Sequence, residues 1–200
     1  MGRPRTITNE QILETAAAIF LKRGPTTPIN EIAAVMGISE GTIFKRFATK
    51  DELFRQALAF EPPDLSPYLR TQVGQVPVAE TLATVIRQLI AFYVDMIPRV
   101  MMLRHGGAFD PMKEFKGNPE APPLRILIAL TSYLQAEKQA GRIQLSDPEP
   151  AARMLTGAAM NHAFFRAGGI PGHDRLDDAQ YAEEVVQVLL DGISVQGGSS

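Results

Sequence analysis

Between Thr26 and Lys50 the chain reads TTPINEIAAVMGISEGTIFKRFATK, which sets Lys45 and Arg46 beside Glu40, Gly41 and Thr42 on one side of a short helical pattern. A cationic helix face that begins at an exposed N-terminus is shaped for the DNA major groove, which is wide enough to admit a helix. Ile43 and Phe47, four residues apart, turn the other side of the same pattern towards a core. Ser39 is placed to cap this helix. Upstream, Ala33 is small enough for two helices to cross steeply. Gly37, four residues later, supplies a tight turn, where a left-handed backbone costs glycine little. The pattern is that of a helix-turn-helix.

Other chemistry is thinly supplied. His105 with Asp110, or His162 with a carboxylate, has the residue types for acid/base work, but neither lies in a catalytic motif. No glycine-rich phosphate loop follows a strand. His105, His162 and His173 lack ligand spacing, and no His-x-x-x-His pair occurs. The chain has no cysteine, which removes disulfides, thiol nucleophiles and thiolate metal sites together. The expectation is a protein without catalytic residues, bound metal or cofactor.

The elements that must position these residues are helices. Strand signals are scarce, and helical periodicity runs through nearly all 200 residues, punctuated by Gly and Pro. Asn9 is placed to cap a first helix with Ile12, Ala16 and Phe20 on its inner face, closed by Gly24-Pro25. Thr27 caps a second, with Pro28 at its first position and Ile29, Ile32 and Ala33 inside. The third begins at Ser39. Thr49 to Glu52 has the form of a capping box opening a fourth, with Leu53, Phe54, Ala57 and Leu58 as its apolar stripe.

Pro62-Pro63 and the polar stretch to Pro77 read as a domain junction. A longer helix follows over about 78–97, with Leu82, Val85, Leu89, Phe92 and Met96 inward, kinked or ended by Pro98. Residues 103–120 read as loop or short helix. Further helices cover about 123–140, Asp147-Pro148 to Gly168-Gly169, and about 177–195. The fold class is all-α: a helix-turn-helix domain over residues 1–60 and a helical domain over residues 61–200.

Composition agrees. With 45% hydrophobic and 21% charged residues, the chain can bury a sizeable core. The net charge of -2 hides an asymmetry: residues 1–60 hold 8 Lys+Arg against 6 Asp+Glu, and residues 61–200 hold 12 against 16. No apolar run approaches the ~20 residues of a membrane span. The basic start, Met1-Gly2-Arg3-Pro4-Arg5, is not followed by the apolar segment of a signal peptide. A cytoplasmic protein with no membrane partner is expected.

The residues Phe20, Gly24, Thr27, Ile32-Ala33, Gly37-Ile38-Ser39, Gly41-Thr42-Ile43-Phe44, Phe47, Lys50 and Leu53 together resemble the DNA-binding domain of the TetR (tetracycline-repressor-type) family, closely over residues 6–58. The resemblance implies phosphate contacts at Thr27, Ser39 and Lys50. It puts Gly41 and Thr42 at the start of the recognition helix, close to DNA, and gives Lys45 and Arg46 base or backbone contacts. One position departs from the pattern: the family usually has tyrosine where Phe44 stands, and phenylalanine has no hydroxyl to offer a phosphate. Arg3 and Arg5 resemble a basic arm that enters the minor groove, although a solvated tail has the same composition.

The second domain offers two kinds of surface. A pocket is expected between the helices at about 78–97, 123–140 and 148–167. Its lining would include Phe92, Tyr93, Met96, Tyr133 and Phe165, with His105, Asn161 and His162 as polar fixtures and a small hydrophobic or aromatic effector as occupant. His162 is equally readable as a hydrogen-bonded core residue. The final helix, with Tyr181, Val185, Val188 and Leu189, is too apolar to bury one stripe only. With Gly157 allowing close approach, it points to a homodimer through a four-helix interface. The resemblance implies a ligand-responsive regulator, usually a repressor, bound as a homodimer to a pseudo-palindromic operator. A ligand-independent dimeric DNA-binding or architectural protein, and more remotely an enzyme acting through the helical domain, are the alternatives.

Overall fold

The computed structural model describes residues 7–172 and 174–192. Arg3, Arg5, His173 and residues 193–195 of the last helical pattern lie outside them. Among the described residues there are ten helices and no strand: α1 (Asn9–Arg23), α2 (Ile29–Met36), α3 (Glu40–Phe44), α4 (Lys50–Ala57), α5 (Leu65–Gln72), α6 (Val78–His105), α7 (Pro111–Glu114), α8 (Pro122–Gln139), α9 (Pro148–Ala167) and α10 (Asp178–Asp191). The chain divides after Phe60 into two compact units, and residues 96–117 group with the N-terminal one.

In the N-terminal unit, Ile12, Ala16 and Phe20 of α1 meet Ile32 and Ala33 of α2, Ile43 of α3, and Leu53 and Phe54 of α4 in one buried cluster. The rings of Phe20 and Phe54 meet edge to face at 5.0 Å, a favoured arrangement for two quadrupoles. The local signals differ from expectation at three helix starts. Thr8, not Asn9, caps α1: its Oγ1 accepts from the Gln11 N–H, and the Gln11 Oε1 accepts from the Thr8 N–H. A glutamine three residues on completes a reciprocal box for Thr8, whereas Asn9 has Ile12 at that position. Thr27 does not cap α2; it is buried, its hydroxyl donates to the Gly24 carbonyl at 2.8 Å, and Pro28 holds the cap position. Thr49 caps α4, while the Glu52 carboxylate reaches back one residue further than a capping box would, to the Ala48 N–H.

Residues 96–117 belong with this unit because Leu103 is buried in its core and Met102, Ala108 and Phe109 pack against it. The Arg99 guanidinium donates to the Ala57 carbonyl at 3.1 Å. Gly106 is a position of close approach: a Cβ there would lie 2.7 Å from the Phe54 ring. These contacts also bear on the expectation that Pro98 kinks or ends its helix, which does not end there. Proline removes one backbone hydrogen bond, yet α6 runs on to His105, with Ile97 and Leu103 buried on either side of Pro98.

In the second unit α8 packs on α5 and α9, and α10 packs on α9. Helix α5 occupies the stretch read as a junction; Asp64 caps it, and Leu65 and Leu69 are buried. Helix α6 is long and apolar enough to cross a membrane, with half of its most apolar window buried. Leu82, Ile86, Leu89 and Ile90 on it are fully enclosed, so it serves here as a core helix. Ala152, Ala159 and Ala163 give α9 a small-residue face that is fully buried. A buried carboxylate, Glu137, accepts from the Gly74 N–H at 3.2 Å and pairs with Arg142, whose guanidinium also donates to the Val76 carbonyl. That pair fastens the segment after α5 to the turn after α8.

Gly37 closes α2 at φ 67, in the left-handed region. Gly37→Val is therefore expected to destabilise the N-terminal unit by at least ~1–2 kcal/mol, since an L side chain pays that for a left-handed backbone. Thermal unfolding followed by circular dichroism measures it, and an unchanged melting temperature would contradict the turn geometry.

Candidate functional site

Helix α3 is held from both ends. Ser39 Oγ accepts from the Thr42 N–H at 3.2 Å and shares a hydrogen bond with the Thr42 hydroxyl at 3.0 Å, so both hydroxyls are engaged in starting the helix. Ile43 and Phe47 are buried, anchoring the inner side. Outward stand Glu40, Gly41, Phe44 and Lys45. A Cβ on Gly41 would meet only Ser39 Oγ, at 3.8 Å, so the backbone there is open to a close partner. Lys50, half-buried, is the first residue of α4.

The helix is shorter than expected. It ends at Phe44 with Lys45 as its C-cap, and Arg46 and Phe47 follow in the turn to α4. Arg46 is not free on an outer helix face. Its guanidinium donates to the Ile7 carbonyl at 2.6 Å and to Asn9 Oδ1 at 3.3 Å, tying this turn to the start of α1. Ser39, Gly41, Thr42 and Lys45 thus share one helix and its caps, Lys50 begins the next, and Thr27 is buried before α2 with its hydroxyl engaged.

The second unit has several depressions, and the expected lining residues are divided among them. A depression of about 460 Å3 lies between α6, α8 and α9, walled by Tyr93, Leu124, Leu127, Thr156, Gly157 and Met160. Of the eight expected residues it holds Tyr93 alone; Phe92 is half-buried with its ring 5.3 Å from that of Tyr93. Tyr133 lines a crevice of about 410 Å3 between α5 and α8, with Arg70 on its wall. Asn161, His162 and Phe165 line a recess of about 170 Å3. Met96 and His105 fall in the N-terminal unit. Periodicity identifies an inward face but not which of several hollows that face borders.

His162 makes structural contacts. Its Nε2 lies 3.1 Å from Asp178 Oδ1, Arg166 pairs with the same carboxylate, and its ring stacks on Tyr181 at 4.0 Å. Burial pushes the phenols of Tyr93 and Tyr133 up to about 12, so both remain neutral donors across the physiological range.

A groove of about 530 Å3 runs along α9 and α10, walled by Met154, Ala158, Tyr181, Val185, Val188 and Leu189. Four of the five residues expected at a dimer interface line it; Gly157 instead faces the depression between α6, α8 and α9. Arg175 and Glu184, which sequence reasoning did not single out, supply charge on its wall. Neither belongs to an apolar periodicity, so no sequence pattern marks them.

An all-α chain with an N-terminal helix-turn-helix and a separate helical unit has the architecture of a DNA-binding regulator. The signature of bacterial regulatory proteins of the tetR family matches residues 12–57, and that of the AefR-like transcriptional repressor C-terminal domain matches residues 118–192. The chain belongs to the tetR family of transcriptional regulators. No curated protein matches it. Several solved structures share its fold. FadR from Bacillus subtilis, solved in complex with stearoyl-CoA, is 17% identical with a TM-score of 0.63 over 94% of this chain and 100% of that one. PfmR from Thermus thermophilus is 20% identical with a TM-score of 0.65, covering 92% and 100%. A tetR-family regulator from Mesorhizobium loti is 23% identical with a TM-score of 0.64, covering 93% and 96%.

Two outcomes follow from the geometry. Lys45→Ala is expected to weaken duplex binding, measured by fluorescence anisotropy, without lowering the melting temperature. Arg46→Ala should lower both, because the Ile7 carbonyl loses a charged donor at a cost of about 1–3 kcal/mol. Equal melting of Arg46→Ala and wild type would sink that structural role. The second outcome concerns alkaline pH. A phenol whose folded-state value lies above its ordinary 10.0 contributes stability below pH 10 that is lost as pH rises towards 12. Denaturant midpoints measured from pH 9 to 12 should fall, and fall less in Tyr93→Phe.

Proposed function

We propose that this regulator is a ligand-responsive repressor that acts in the cytoplasm as a homodimer on a pseudo-palindromic operator. The supporting observation is the uncovered apolar face of its last two helices, where Met154 is 60% and Val188 50% exposed around a continuous groove. Contiguous apolar surface of this kind marks an interaction site. A two-fold axis along it would bring α9 and α10 of two subunits into a four-helix contact. Two copies of α3 then enter successive major grooves, about one helical turn apart or somewhat more. Ser39, Gly41, Thr42, Lys45 and Lys50 are the proposed DNA-contacting residues within each subunit, Arg46 acts through its hold on α1, and Arg3 and Arg5 are candidates for the minor groove.

The effector proposed is a small hydrophobic or aromatic molecule, housed between α6, α8 and α9 with the Tyr93 phenol as a polar fixture. Mostly apolar walls with a few placed polar atoms suit such a ligand. It releases the operator only if it binds one conformation of the dimer better than the other. The dispersal of the expected lining residues over separate hollows favours the second reading, a dimeric DNA-binding protein that senses nothing. Ligand screening by thermal shift decides between them, with long-chain acyl-CoA, the ligand class of the Bacillus subtilis structure, as one arm. A hit that Tyr93→Ala abolishes supports sensing at this depression.

Val188→Glu with Leu189→Glu is expected to give monomers in analytical ultracentrifugation and at least a tenfold loss of operator affinity, since each half-site is then bound singly. An intact dimer in the double variant would place the interface elsewhere.

A further inference from the structure

The helix proposed to enter the major groove carries an aromatic ring that the N-terminal core does not use. Phe44 is 43% exposed and belongs neither to the buried cluster of this unit nor to the partly buried side chains packed on it. Its neighbours in sequence are accounted for: Ile43 is buried, and Lys45 caps the helix. One turn earlier on the same face is Gly41, with no side chain and open space around it. Between Glu40 and Lys45, the outer side of α3 therefore has a bare stretch of backbone at Gly41 with a phenyl ring beside it, and a partner's surface can come close on the glycine side and meet the ring.

Phenylalanine has no donor or acceptor, so it reads neither a phosphate oxygen nor the hydrogen-bonding edge of a base. The major groove shows polar atoms at nearly every position and one distinctive apolar group, the C5-methyl of thymine. We infer that Phe44 is a specificity-determining residue that selects thymine in each operator half-site by packing its ring against that methyl. The inference rests on the proposed DNA-binding role of α3 and deepens it. Because Phe44 is exposed and outside the core, its replacement leaves the fold intact.

The test begins with the full-length dimer and a randomised duplex library, from which the bound consensus is selected. Each thymine of a half-site is then replaced, singly, by deoxyuridine, which removes only the methyl. Wild type is expected to lose about fourfold in affinity at one position of the half-site, and about fifteenfold when both symmetry-related methyls are removed, as burial of one or two methyl groups gives. Phe44→Ala should bind the thymine duplex as weakly as wild type binds the deoxyuridine one, and be indifferent to the exchange. Phe44→Leu, still apolar, should keep part of the preference, and both variants should melt like wild type. A consensus without any deoxyuridine effect, or one that persists unchanged in Phe44→Ala, overturns the assignment while leaving DNA binding intact. Failure to select any consensus overturns the DNA-binding role of α3 and this inference with it.

Discussion

A helix of five residues is far below the ~12–15 at which a peptide helix begins to persist in water, so α3 exists only because its neighbours hold it. Burial of Ile43 and Phe47 is one part of that hold. Fully burying one such side chain contributes roughly 1.5–3 kcal/mol relative to leaving it exposed. Gly37 turns the chain so that α3 arrives over the core, and the Ser39 hydroxyl satisfies a donor at its first turn. Every outward residue of the proposed DNA-reading surface inherits its position from these inward contacts. The spacing of inner and outer residues is thus one constraint, not two, because a helix that turns Ile43 inward must turn Gly41 and Phe44 outward.

That dependence extends to residues distant in sequence. Phe54 packs on Phe20, and the close approach of Gly106 to Phe54 brings the end of α6 into the same core that carries α3. Arg46 adds a polar tie between the turn after α3 and the start of α1. Helix α6 thereby has two employments. Leu103 near its end belongs to the core under α3, while Tyr93 earlier on it walls the depression of the other unit. One continuous helix contributing to both is a reason for Pro98 to be tolerated within it, since the helix is held by packing on either side of the proline.

The helix-turn-helix was legible because its determinants are local: a left-handed glycine, a capping serine, and two apolar residues four apart, all within eleven positions. What escaped was long-range or competitive. Thr8 and Asn9 are both good caps, and the choice fell to Gln11, which can close a box with one and not the other. The end of the third helix was overestimated because Arg46 has a helical spacing and a nonlocal partner, Ile7, that no periodicity reveals. Helix α5 was hidden by Pro67, whose presence in a first turn does not break a helix but looks like loop composition in a polar stretch. The candidate pocket fared worst. Tyr93 and Tyr133 are buried and Phe165 half-buried, yet they border three different hollows, and that assignment depends on which helix lies opposite each one.

Helix α9 is where the two proposed activities of the second unit meet. Residues Thr156, Gly157 and Met160 face the depression against α6 and α8, while Met154, Leu155 and Ala158 face the groove with α10. These are adjacent stripes of a single helix, with Gly157 on one and Ala158 on the other. Under the proposed reading, an effector and a partner subunit would rest on successive residues of the same backbone. The fully buried faces of Ala152, Ala159 and Ala163 leave little slack between them, because close-packed small residues transmit a displacement rather than absorb it. On that reading, a ligand that shifted α9 against α8 would also move the groove on its other side, so that a difference in ligand affinity between two such positions of α9 would become a difference in dimer geometry.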